Sequence, residues 1–156
     1  MKMEDIVNDS KVLYTSDEIK VGISNIADTI NEYFRDIKDS VTVLPVMKGA
    51  IPFAGYLIPQ LSFNTNIEYI HVTRYHQNIG TKDCHWIYKP NKSAVKDKVI
   101  LVMDDILDEG ITLLNIKDEL KSMGARSIVT AVLFDKKINK KKSTCADFIG
   151  LAVPNK

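Results

Sequence analysis

Between Val99 and Leu113 the chain reads VILVMDDILDEGITL. An apolar run leads straight into the carboxylates Asp104, Asp105, Asp108 and Glu109, and Gly110 and Thr112 follow. Carboxylates this close repel one another and are costly to desolvate, so their concentration points to a ligand rather than to stability. A turn at Gly110 that opens a helix presents backbone N–H groups without intrahelical partners. Those donors and the helix dipole attract an anion, typically phosphate, and Thr112 adds a hydroxyl. Asp104 and Asp105 precede the turn, where they suit sugar hydroxyls better than phosphate. Asp108 lies between the two groups and can serve as a general base. A phosphate cradle beside two hydroxyl acceptors describes a ribose-5-phosphate site. These residues leave two other readings open, a solvated loop at a sheet edge and a receiver-type metal or phospho-acceptor cluster. The receiver pattern sets its acids after the first strand, whereas several elements precede these.

The surrounding pattern supplies elements to hold such a site. Thr15 and Glu18 fit a capping box, and Ile19, Ile23, Ile26, Ile30, Phe34 and Ile37 follow at helical spacing. Val41 to Met47 (VTVLPVM) reads as a strand ending at Lys48-Gly49, and Ala50 to Leu61 as a helix with Pro52 in its first turn. Ile67 to Thr73 is rich in β-formers, and residues 74–83 (RYHQNIGTKD) are polar and aperiodic, the pattern of a flexible loop. A short strand at Cys84 to Tyr88 returns the chain. Lys98 to Met103 has the continuous apolar character of a strand buried on both faces. Leu113, Ile116, Leu120 and Met123 share a helical face with Gly124 as its cap, and Ser127–Phe134 and Asp147–Val153 read as strands. The alternation predicts an α/β fold with a largely parallel central sheet flanked by helices, formed by residues 1–156 as one domain. Ligands bind beyond the carboxyl ends of such strands, where Lys48-Gly49 and Asp104–Thr112 both fall.

With 45% hydrophobic residues, 26% charged residues and a formal net charge of +1, no global field points to nucleic acid or to a membrane surface. Most of the one basic run, KKINKKK from Lys136 to Lys142, reads as a solvated loop. Cys84 and Cys145 form no ligand pattern with His71, His76 and His85, which fits reduced thiols. No signal-peptide core and no span-length apolar run is present, so a cytoplasmic protein is expected.

VILVMDDILDEGITL resembles the ribose-phosphate signature of the type I phosphoribosyltransferases, most of all their hypoxanthine-guanine branch. The likeness runs through nearly the whole chain. LYTSDEI resembles the branch's opening helix, LPVMKGAIPFAGYL its pyrophosphate loop, and VTRYHQN its flexible catalytic loop. VLFDKK and DFIGLAVPNK resemble its purine-site segments.

The resemblance implies transfer of 5-phosphoribosyl from phosphoribosyl pyrophosphate to a purine nitrogen, with release of pyrophosphate. Asp104 and Asp105 would hold the ribose hydroxyls, and Asp108 would take the purine proton. Glu109, Gly110, Ile111 and Thr112 would bind the 5-phosphate, mainly through backbone N–H groups. Many relatives carry Thr at the position of Glu109, whose amide can still donate if its side chain turns to solvent, so Glu109 is expected as a backbone contact without a side-chain role. Lys48 and Gly49 would bind pyrophosphate beside a non-proline cis peptide preceding the lysine. Arg74 and Tyr75 would open a loop that closes over the leaving group, with Trp86 and Lys89 anchoring its return strand. Ile106, Lys136, Val153 and Lys156 would form the purine side. Lys136, or Lys137 with a one-residue shift, would donate to the exocyclic oxygen of a 6-oxopurine, oriented by Asp135.

Mg²⁺ is implied as a substrate-borne cofactor with few direct protein ligands, Asp104 and Asp105 reaching it through water. Relatives form dimers and tetramers, so a homodimer or homotetramer is expected. Relatives also continue past VPNK with an aromatic and an acid, so the C-terminal hood is expected to be incomplete, as in a truncated product. The expected reaction makes IMP or GMP. A non-catalytic nucleotide-binding regulator on the same fold, or an enzyme preferring another base such as xanthine, is the alternative. The absence of a helix-turn-helix pattern and of a basic face favours the enzyme.

Overall fold

The fold is described from a computed structural model, over residues 3–74 and 84–155. The helices are α1 (Met3–Asp9), α2 (Ser16–Tyr33), α3 (Ile51–Leu57), α4 (Lys92–Val95) and α5 (Ile111–Ser122). The strands are β1 (Val41–Met47), β2 (Thr65–Ile67), β3 (Ile70–Arg74), β4 (Cys84–Tyr88), β5 (Val99–Leu107), β6 (Ser127–Lys136) and β7 (Phe148–Val153). The sheet order is β4-β3-β1-β5-β6-β7, with β2 also paired to β1, and every pairing is parallel except β3 with β4. The expected parallel α/β sheet is thus the observed one, and β1 and β5 are its central neighbours.

Strand β5 is apolar on both faces because both are covered. Val99, Leu101 and Met103 join a core with Ile23, Ile26 and Ile30 of α2 and Phe53 and Leu57 of α3. Ile100 and Val102 join the opposite core with Leu113, Ile116 and Leu120 of α5. Truncating Leu101, which is fully buried, to Ala removes contacts that a close-packed core cannot refill, at a cost of about 2–5 kcal/mol. That rigidity fixes where the acids at the end of β5 stand.

Several boundaries differ from the sequence expectation. β5 continues past Met103 to Leu107, because its ladder to β6 runs on through Asp104↔Val132, Ile106↔Phe134 and Leu107↔Asp135. The expected strand at Ile67–Thr73 is two strands, since Glu68 N–H donates to Val43 O and the chain then moves from the start of β1 to its end. The Ala50–Leu61 helix is α3 followed by a 3-10 turn over Ile58–Gln60, which carries Pro59. Helix α2 stops at Tyr33, and Phe34 and Ile37 still pack on the core from the connection.

Its capping box is present, with Thr15 N–H donating to Glu18 Oε2 at 2.7 Å and Glu18 N–H to Thr15 Oγ1 at 3.2 Å. Gly124 lies one residue beyond the cap of α5 at φ +89°. There Ala125 N–H reaches Leu120 O and Gly124 N–H reaches Lys121 O, closing the helix end. Helices α1 and α4 lacked a periodic signal because each is only a turn or two long. Among the described residues, no helix is long and apolar enough to cross a membrane.

Candidate active site

The carboxyl ends of β1 and β5 and the start of α5 enclose a cleft of about 410 Å³. Gly49, Arg74, Asp104, Asp105, Asp108 and the Glu109–Thr112 turn line it, so the two strand ends singled out in the sequence share one cavity. Asp105 seals them together. A Cβ placed on Gly49 would come within 2.6 Å of Asp105 Oδ2, so only glycine lets the Lys48–Gly49 turn approach this carboxylate. The Met47–Lys48 peptide is cis, as the resemblance implies, and Lys48 itself is exposed.

The acids are held by backbone. Asp105 N–H donates to Asp104 Oδ1 and Ile106 N–H to Asp105 Oδ1, each at 2.9 Å. Burial pushes the Asp104 carboxyl up to about 8, and the adjacent Asp105 reinforces the shift through its hydrogen bond and its charge. Beyond them Gly110 takes φ +80° and opens α5. Its Cα packs against the Thr144 backbone, where a Cβ would meet N and O at 2.9 Å, so conformation and space both demand glycine. The first N–H groups of α5 have no intrahelical acceptor and sit in the lining of the cleft.

Asp108 is half-exposed and faces Lys136, whose Nζ lies 3.4 Å from Asp108 Oδ2. Strand alternation explains the pairing: Ile106, Phe134, Lys136 and Val153 project to one side of the sheet, and Leu107 and Asp135 to the other. The expected orientation of Lys136 by Asp135 is therefore incorrect. Asp135 instead accepts from Lys137 Nζ at 2.7 Å and from Lys142 Nζ at 2.6 Å. Burial raises its carboxyl, but these two ammonium groups outweigh that and leave it below the usual range.

Glu109 also departs from expectation. Its side chain does not turn to solvent but accepts from Arg74 Nη1 at 3.0 Å and from Lys140 Nζ. Lys140 first and then Arg74 hold its carboxyl below the usual range. With several cations nearby, ion pairing is favoured over exposure of an isolated carboxylate beside the phosphate turn.

A second, apolar cavity of about 340 Å³ adjoins the first across Ile106 and is lined also by Leu13, Tyr14, Phe134 and Val153. Tyr14 stacks on Phe134 at 6.2 Å between ring centroids, and its hydroxyl donates to Ala152 O. Sequence reasoning missed Tyr14 and Phe134 as site residues. For Tyr14 the signal was an aromatic next to the N-cap, which ordinarily means packing, and Phe134 lay in the VLFDKK segment without being singled out.

Trp86 packs on the core beside α5, and Lys89 pairs with Glu119 of that helix at 2.7 Å, which anchors β4 as expected. Tyr75, Lys156 and the rest of the 74–83 loop after Arg74 lie outside the described residues. Also among the described residues, no three His, Cys, Asp or Glu side chains gather as a metal site.

The family model of the phosphoribosyl transferase domain matches residues 13–153, which include every residue lining the first cavity. The chain belongs to the phosphoribosyltransferase family. As a phosphoribosyltransferase it is 29% identical to the hypoxanthine-guanine phosphoribosyltransferase of Aquifex aeolicus, over 94% of this chain and 82% of that protein. It is 28% identical to the Bacillus subtilis protein of that name, over 93% and 79% respectively. Its fold superposes on the crystal structure of a hypoxanthine phosphoribosyltransferase from Staphylococcus aureus with a TM-score of 0.84. That superposition covers 99% of this chain and 84% of that one at 24% identity.

Proposed function

We propose that this phosphoribosyltransferase is a purine-salvage enzyme, joining hypoxanthine or guanine to the 5-phosphoribosyl group of phosphoribosyl pyrophosphate. The observation that carries this reading is the pairing of Asp108 with Lys136 on the sheet face that also bears Ile106, Phe134 and Val153. An acceptor and a donor there, beside an apolar surface, suit a flat heterocycle that offers an N–H and a carbonyl oxygen. The relatives named for hypoxanthine and guanine support the same reading.

In this reading the Glu109–Thr112 turn binds the 5-phosphate and Asp104 and Asp105 hold the ribose hydroxyls. Gly49, Lys48 and Arg74 face the pyrophosphate, with Tyr75 beyond Arg74. The purine nitrogen forms its bond to the anomeric carbon as the bond to pyrophosphate oxygen breaks. Asp108 takes the purine proton, while Lys136 donates to the 6-oxo group. Ile106 and Val153 pack on the base, with Lys156 beyond them.

Among the described residues, the cleft is lined by the acids Asp104, Asp105, Asp108 and Glu109 and by the Arg74 guanidinium, and it faces a ligand that is itself a polyanion. Electrostatic neutrality thus calls for a cation, and carboxylate oxygens are the donors a hard divalent ion prefers. Asp104 and Asp105 fit Mg²⁺ carried by the substrate, which when bound neutralises the charge of the leaving pyrophosphate. We place the enzyme in the cytoplasm, as a homodimer or homotetramer, and light scattering of purified protein tests the assembly.

The deciding experiment is phosphoribosyl transfer assayed with hypoxanthine, guanine, xanthine and adenine in the presence of Mg²⁺. Turnover of hypoxanthine or guanine in excess of adenine is expected. Turnover of xanthine alone would reassign the base, and no turnover with any base would overturn the enzymatic reading.

A further inference from the structure

The sequence assigns most of the Lys136–Lys142 run to solvent, yet its last lysine behaves differently from its neighbours. The Lys142 side chain is 14% exposed, against 65% for Lys137 and 66% for Lys140. Its Nζ donates to Asp135 Oδ1 at 2.6 Å and to Leu107 O at 2.7 Å. Asp135 is itself 9% exposed, so a nearly buried ion pair ties the end of β6 to the last carbonyl of β5.

The next residues continue along the turn after β5. Ser143 N–H donates to Glu109 O at 2.9 Å. The Thr144 backbone lies against Gly110, and Lys117 of α5 donates to Thr144 Oγ1 at 3.1 Å. The connection from β6 to β7 thus touches Leu107, Glu109 and Gly110 in order, while Lys142, Ser143 and Thr144 do not themselves line the cleft. None of these contacts involves Asp104 or Asp108, and none reaches into the cavity.

We propose that Lys142 is a positioning residue: through Asp135 and Leu107 O it holds the β6–β7 connection as a splint that fixes the anion-binding turn. A turn whose donors are backbone N–H groups binds well only if its shape is set before the ligand arrives. Within residues 108–112 only the solvent-accessible ion pairs of Asp108 and Glu109 restrain that shape, and Gly110, the most permissive residue type, caps α5 without a side chain. The splint supplies from outside the order that glycine withholds. The consequence for phosphate binding rests on the proposed function, whereas the ordering of the turn does not.

The test compares the wild type with Lys142→Met/Asp135→Asn, which removes both charges so that neither is left buried and unpaired. Hydrogen exchange of the Leu107–Leu113 amides in the unliganded protein reads the turn directly. Faster exchange there is expected, with exchange in β1 and in α2 unchanged. Calorimetry with phosphoribosyl pyrophosphate is expected to show affinity reduced about tenfold or more, since small misplacements are costly.

Lys142→Arg keeps the charge and should retain most of the protection. Lys117→Met leaves the Asp135 pair intact and loosens Thr144 from its other end, so it should raise exchange at the turn even if the double variant folds poorly. Wild-type exchange across Leu107–Leu113 in both Lys117→Met and a folded double variant would overturn the proposal. The exchange arm needs no ligand. A wild type that binds no phosphoribosyl pyrophosphate would therefore count against the purine reading and leave the splint to be judged on exchange alone.

Discussion

The turns after β5 and β6 leave neighbouring parallel strands at the same edge of the sheet, yet they treat charge in opposite ways. At the end of β5, Asp104 and Asp105 stand side by side with backbone N–H partners and, among the described residues, form no ion pair. At the end of β6, Asp135 is matched by Lys137 and Lys142. The first arrangement is poor for stability and good for meeting a cation-bearing, hydroxyl-rich ligand. The second contributes no group to the cavity and braces the first. The difference separates acids held by backbone for chemistry from an acid paired with cations for shape, although both look like charged loop ends in the sequence.

The contrast is broken most strongly at Asp108. Replacing it with Asn keeps shape and removes the proton acceptor, so kcat should fall about 10²–10⁴-fold while binding of phosphoribosyl pyrophosphate is kept. Steady-state kinetics with calorimetry checks this, and equal loss of both would show that Asp108 belongs with the bracing residues. Lys136→Met comes next. It leaves a 6-oxo acceptor without its donor, worth about 1–3 kcal/mol, and kcat/KM for hypoxanthine should fall by that amount with little change for adenine.

Asp104→Asn sharpens the comparison through pH. The Asp104 carboxyl ionises near 3.8 in an unfolded chain and at about 8 in the fold. The folded state therefore holds the proton more tightly, and wild-type stability falls as pH rises from about 4 to about 8. The Asn variant lacks that dependence. Its Tm should match wild type near pH 4 and exceed it increasingly up to pH 8, while substrate affinity is lost. A wild-type Tm advantage at pH 8 would show that Asp104 is a satisfied structural acid.

The smallest effect belongs to Glu109. Glu109→Gln frees Arg74 and Lys140, and phosphoribosyl pyrophosphate should bind a few-fold more tightly at low salt, the gain fading as salt screens it. Titration at two ionic strengths would read it.

Much of the site was legible along the chain because it is local. VILVMDDILDEGITL carries its strand, its acids, its glycine and its helix start within fifteen consecutive residues. The capping box at Thr15–Glu18 and the doubly buried run in β5 are likewise local patterns. What failed was pairing between segments. Which carboxylate meets Lys136, where Glu109 points, and which lysine of the run is buried all depend on the register between β5 and β6 and on the path of the connection after β6. Residues 75–83 and Lys156 lie outside the described residues, so the expectations there stand as proposals.

The amino-acid sequence by itself determined the elements, the acid-rich strand end and its glycine, because periodicity, turn chemistry and helix capping act over a few residues. The tertiary structure alone decided that Gly49 must be glycine to admit Asp105, that Asp108 faces Lys136, and that Lys142 leaves solvent to brace the turn. Each of those depends on which strands lie side by side and in what register. That is a property of the whole packed sheet, where no single segment carries the information.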